Sequence, residues 1–88
     1  MDTFITQRNY CKRATTTTPP NDILLRLRVV FEDFGKILDV SCSDPLVGIV
    51  NMGAIGSYTY NLKVIIEVET GGIEEIEKFA QQEHWNPC

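Results

Sequence analysis

Long apolar runs are missing from this chain: nowhere in its 88 residues do the roughly 20 consecutive hydrophobic side chains of a membrane-crossing helix occur. The amino terminus also lacks a charged start followed by an apolar stretch and a small-residue cleavage site. A soluble, cytoplasmic protein with no membrane partner is therefore expected. Histidine is nearly absent, with His84 alone, so acid–base or nucleophile chemistry has few places to start. Cysteine occurs three times, at Cys11, Cys42 and Cys88, without the paired spacing of a metal or redox motif. Reduced thiols are the simplest state for such a set in a cytoplasm. A zinc site built from His84, Cys88 and one of the other two cysteines is the bolder alternative. Basic residues are also few, eight against twelve acidic.

That imbalance is uneven along the chain. Residues 1–20 carry Arg8, Lys12 and Arg13 against Asp2, whereas residues 21–88 carry a net −6. An acidic body opposes direct nucleic-acid binding, whose affinity rests on neutralising phosphates with a basic face. The basic stretch around Arg8 and Lys12 is a candidate contact for an acidic partner.

What the chain does contain is alternation. From Tyr58 to Val68 every second residue is apolar (Tyr58, Tyr60, Leu62, Val64, Ile66, Val68), with Thr59, Asn61, Lys63 and Glu67 between them. Period-two patterning predicts a long β-strand with one face in a core. Ile65 is the exception on the other face, which suits a mid-sheet strand whose second side is partly covered or used for contact.

Around this strand the remaining elements follow. Residues 3–14 read as an edge strand, or else a tail, and Thr15–Thr18 with Pro19 and Pro20 read as a connector. Ile23, Leu24, Leu27, Val30, Phe31 and Phe34 then form one helical stripe, with Asn21 or Asp22 as the expected cap and Gly35 as the expected left-handed stop. Residues 37–43 predict a second strand, with Leu38, Val40 and Cys42 inward. Residues 73–84 predict a second helix, with Ile73, Ile76, Phe79 and Ala80 buried and Glu74 and Glu75 at its amino end. Trp85 is expected to fold back over the core.

Strand, helix, strand, strand, helix is the order of a ferredoxin-like sandwich without its fourth strand: an α+β, two-layer βαββα fold with a mainly antiparallel three-stranded sheet and both helices on one face. The whole chain reads as one small domain, 1–20 being its amino-terminal strand or tail with the connector and 21–88 its core. The absent strand would leave an edge open, and an open edge invites a second copy of the chain or a peptide. A homodimer is expected.

Between strands two and three lies an unusually apolar, glycine-rich stretch with Leu46, Val47, Ile49, Val50, Met52 and Ile55. It reads either as the extension of a hairpin or as a loop that meets a partner. Its glycines lack the lysine and the serine or threonine of a phosphate-cradling loop, and no cofactor motif is found. No residue set marks a catalytic centre. The functional expectation is a non-catalytic protein–protein interaction module, an adaptor, regulator or inhibitor, acting through the open edge, the apolar connector and an acidic surface that includes Glu67 and Glu69. The alternative is a small-molecule-binding or enzymatic domain, with a pocket between connector and sheet lined by Met52, Ile55 and Tyr58.

Overall fold

The computed structural model describes residues 4–43, 46–48 and 57–88. In chain order they form β1 (Ile5–Thr16), α1 (Pro20–Phe31), β2 (Lys36–Cys42), β3 (Leu46–Gly48), β4 (Ser57–Glu69), a 3-10 turn at Thr70–Gly72, α2 (Ile73–Gln82) and β5 (Asn86–Pro87). The protein is α+β, with an antiparallel sheet ordered β2-β4-β1-β5 and two helices. β3 also pairs with β4, matching Leu46 to Thr59 and Gly48 to Ser57, so this part of the connector is a hairpin arm. Ile49, Val50, Met52 and Ile55 lie outside the described residues.

Two expectations about the sheet are corrected here. It is not three-stranded, because residues 86–87 add β5 beside β1. Nor is β1 a tail: it pairs with β4 along its whole length and with β5 at two residues, and it includes Thr15 and Thr16, which read as connector. The polar composition of β1 concealed its place. All twelve of its residues pair with β4, from Ile5 opposite Glu69 to Thr16 opposite Tyr58, so β4 supplies the apolar content that β1 lacks.

Alternation on β4 sets the core. Tyr60, Leu62, Val64, Ile66 and Val68 are buried in one cluster with Tyr10 of β1, Val40 of β2, Leu27 and Phe31 of α1, and Ile76 and Ala80 of α2. Both helices therefore cover the same sheet face. Phe31 joins the layers: fully buried, it meets Phe79 and Trp85 edge-on, at 5.4 and 5.2 Å between ring centres, and lies 6.1 Å from Tyr10. Edge-on contacts place the positive rim of one ring against the negative face of the other, adding to what burial alone supplies. Trp85 is thus folded onto the core from beyond α2.

Helix and strand boundaries differ from the pattern in instructive ways. α1 starts at Pro20, whose missing N–H is no loss in a first turn, and Pro19 precedes it without any side-chain cap. Asn21 and Asp22 therefore lie inside the helix, where Asp22 faces the positive end of its dipole. The Tyr60 hydroxyl donates to the Thr18 carbonyl at 2.9 Å and pins the connector to β4. In β2 a bulge between Ile37 and Asp39 makes Leu38 an extra residue, so Ile37, opposite Ile66, turns inward in its place and Leu38 is left exposed. Strict alternation resumes after the bulge, which is why Val40 and Cys42 face the core as expected.

Two backbone positions set chain direction. Gly35 is not in a left-handed conformation; a Cβ there would overlap the Glu67 carbonyl oxygen, so glycine permits the close approach of the α1–β2 turn to β4. The left-handed stop occurs instead at His84, with φ 62°, after α2. There the Trp85 N–H donates to the Ala80 carbonyl at 2.8 Å and the His84 N–H to Gln81 at 3.3 Å, closing the helix in a Schellman motif that delivers Trp85 to Phe31.

Opposite effects are expected at these two sites. Gly35→Ala should lower the unfolding free energy by about 1–3 kcal/mol, since β4 backbone must move. His84→Gly should raise it by about 0.5–1 kcal/mol by removing the left-handed penalty on a side chain. Urea unfolding followed by Trp85 fluorescence reads both.

Candidate interaction surface

Residues of β1 alternate in the neighbour their backbone groups face. The Phe4 carbonyl accepts from Thr70 on the β4 side, whereas the Asn9 carbonyl accepts from the Cys88 N–H at 3.3 Å on the outer side. By this parity Ile5, Gln7, Asn9, Cys11, Arg13 and Thr15 present N–H and C=O to the outer edge. β5 covers that edge only at Tyr10 and Cys11, opposite Pro87 and Asn86. The rest of the edge, five residues on either side, has no strand beside it among the described residues. Phe4 and Ile5 at one end are 70% and 61% exposed.

A covalent link holds the short covering strand. Cys11 and Cys88 form a disulfide with their Cα atoms 5.3 Å apart, across 77 residues of sequence. The expected reduced pair is thereby corrected: β5 brings together two cysteines that sequence distance kept apart. Closing so long a loop restricts the unfolded chain by about 4–5 kcal/mol in the chain-entropy picture. The zinc alternative loses two of its sulfurs to this bond. His84 serves as a helix stop with an exposed side chain, and Cys42, the free thiol, is half-buried on the helix-covered face.

The sheet face away from the helices carries the odd-numbered residues of β1 and β4. It is divided by charge. Arg13 and Lys63 lie at one end beside Ser41, Ser43 and Asn61, around a shallow cleft of about 460 Å³. Glu67 and Glu69 lie at the other end and, with Glu32, Asp33 and the single base Lys36, which is opposite Glu67, line a cleft of about 360 Å³. Half-exposed Ile65 sits between them, opposite Asn9 and Asp39. Glu74 and Glu75 are also exposed but belong to α2, in the helix layer, so the acidic side chains do not make one continuous surface.

Arg8 and Lys12, read from sequence as partner contacts, point toward the helix layer and are engaged there. Lys12 Nζ stands 5.5 Å from the centre of the Trp85 ring, a cation–π contact. Arg8 Nε approaches Glu77 Oε1 at 3.5 Å; this is an ion pair without hydrogen-bond geometry, and the buried Nε has no hydrogen-bond partner. The same Glu77 oxygen accepts the Tyr10 hydroxyl at 3.1 Å. Tyr10 and Arg8, two strand positions apart, thus converge on one carboxylate and fasten α2 to β1. Leu46 and Val47 belong to β3.

Burial, reinforced by the Glu77 charge and the hydrogen bond to it, pushes the Tyr10 phenol from its ordinary 10 up to about 12, with Arg8 opposing. Among the described residues no group of three or more histidine, cysteine, aspartate or glutamate side chains stands close enough to share a metal ion, and no helix is long and apolar enough to cross a membrane. Comparison of the chain with family models, with curated proteins and with solved structures gives no match. Sequence reasoning missed the Tyr10–Glu77 bond and the Cys11–Cys88 link. Each joins residues more than 60 positions apart, and neither leaves a local signal.

The Tyr10 environment has a pH signature. Because the folded phenol titrates above the unfolded one, its contribution to stability is complete below about pH 10 and is lost as pH rises toward about 12. Ultraviolet titrations of the wild-type chain and of Tyr10→Phe should differ by one phenol that ionises late. Removing the Tyr10 hydroxyl should also cost about 1–2 kcal/mol for the lost bond to a carboxylate.

Proposed function

We propose that this chain is a non-catalytic protein–protein interaction module, an adaptor, regulator or inhibitor, that works by adding a partner strand to the outer edge of β1, with a second copy of itself as the first partner. The observation that carries this reading is the mismatch between the two sides of β1: twelve residues paired with β4 but only two with β5. Unpaired backbone groups on a long, regular strand are a template for another extended chain. Exposed Phe4 and Ile5 at one end of the edge, and Arg13 and Lys63 on the adjoining face, would supply apolar and charged contacts around the added strand. In this reading the domain is a ferredoxin-like sandwich whose fourth strand is reduced to two residues, as the order β2-β4-β1-β5 suggests. Glu67 and Glu69, at the acidic end of the sheet face, would favour a basic partner and make its capture salt-dependent. The location we propose is cytoplasmic, where disulfides that do form are commonly transient rather than structural.

Strand parity provides the test. Arg13 presents its N–H outward, so Arg13→Pro removes an edge donor and leaves the β4 ladder intact. Sedimentation velocity over a wide concentration range, in oxidising and in reducing buffer, should show the wild-type chain forming dimers in at least one buffer. The variant should stay monomeric with an unchanged circular dichroism spectrum. A wild-type chain that remains monomeric in both would overturn the self-association reading.

A further inference from the structure

We propose that the Cys11–Cys88 disulfide is a redox clasp on the β1 edge: oxidised, it holds residues 86–88 across the middle of that edge, and reduced, it releases them so that a second copy can add its own β1. The inference rests on the reading of β1 as a docking edge, and it adds the regulation of that edge and the register of the partner. Little besides the sulfur bond holds the tail. β5 is two residues long, and of the tail only Asn86 and Cys88 can bond to β1, because Pro87 lies opposite Tyr10, whose N–H and C=O face β4. Asn86, Pro87 and Cys88 are all exposed and bury no side chain, and the Cys88 N–H to Asn9 contact is long, at 3.3 Å. Ordering three chain residues for so few contacts is unfavourable once the covalent tether is gone. The core does not share this dependence. Trp85, the residue before the tail, is 8% exposed and packed on Phe31, while neither bonded cysteine belongs to the buried cluster.

Chemistry and access agree with the role. A dithiol reductant can reach Cys88, whose residue is exposed. Its thiolate bonds to the Cys88 sulfur and breaks the bond to Cys11, which leaves as a thiolate and takes up a proton. The second thiolate of the reductant then attacks its own sulfur in the mixed disulfide and releases Cys88, also protonated. Two electrons pass to the protein, and the reductant leaves as a cyclic disulfide.

Release makes Ile5, Gln7, Asn9, Cys11, Arg13 and Thr15 an uninterrupted row of outward-facing residues. Two such rows can pair antiparallel about Cys11. That register sets Arg13 opposite Asn9, Lys12 opposite Tyr10 and Arg8 opposite Ala14, so no like charges face each other. Shifting the centre to Tyr10 would oppose Arg8 with Lys12, which disfavours that alternative.

Amide hydrogen exchange and sedimentation, each run with and without dithiothreitol and on a Cys11→Ser, Cys88→Ser double variant, test the two parts separately. In dilute solution, exchange at Asn86 and Cys88 should rise at least tenfold on reduction and approach that of an open chain, while the β4-facing amides of Tyr10 and Lys12 lose only the global stability that the cross-link contributed and stay protected. Dimer should appear at higher concentration only in the reduced protein and in the double variant. Continued protection of Asn86 and Cys88 after reduction would overturn the clasp. So would complete loss of protection at Tyr10 and Lys12, as full as that of the tail, because the bond would then be a staple without which the chain does not fold. A freed tail on a chain that stays monomeric would leave the clasp standing and overturn the docking reading.

Discussion

The antiparallel ribbon of β1 and β4 is the constraint on which everything else depends. Twelve consecutive residue pairs set which side chains of β1 enter the helix-covered layer, and because strand side chains alternate, a slip of one residue would exchange the two faces completely. In the observed register Tyr10 lies opposite Val64 and reaches Glu77, while Cys11 faces the other side and reaches Cys88. Neighbours in sequence thus hold the chain from opposite faces, one fastening α2 and the other the carboxyl-terminal tail. Both attachments would be lost together if the register shifted.

Aromatic packing closes the structure over that ribbon. Phe31 gathers Tyr10, Phe79 and Trp85 around one ring, so β1, both helices and the residue after α2 meet at a single point. A domain of this size buries a small core, and a few large rings in mutual contact make that core more cohesive than aliphatic area alone. The Schellman turn at His84 contributes to the same end, since without a left-handed residue the chain would not turn Trp85 back. What this packing leaves over, among the described residues, is a sheet face turned away from the helices and a strand edge with only a short cover.

Arg8 and Lys12 show how strand parity assigns neighbours that a basic stretch does not reveal. Both sit at even positions of β1, so the ribbon register turns them toward α2 and Trp85, where each finds an internal partner. Arg13, one position on from Lys12, faces the open sheet side. Charge counted along a sequence does not distinguish these situations; strand parity does. The same holds for the cysteines, whose spacing carried no pattern because the bond that unites two of them is made across the sheet edge.

By itself the sequence determined the elements whose signals are local. The alternation of β4, the helical stripe through Leu27 and Phe31, the buried face of α2 with Ile76 and Ala80, and the return of Trp85 to the core were all legible, because side-chain periodicity directly reflects which face meets water. Tertiary structure alone decided the rest. β1 became a twelve-residue strand despite a polar sequence because β4 offered a full-length ladder; Leu38 was displaced by a bulge; Gly35 was required by backbone crowding rather than by a left-handed turn; and Cys11 met Cys88. Each of these outcomes depends on a neighbour distant in sequence, and periodicity within one segment carries no information about what will lie beside it.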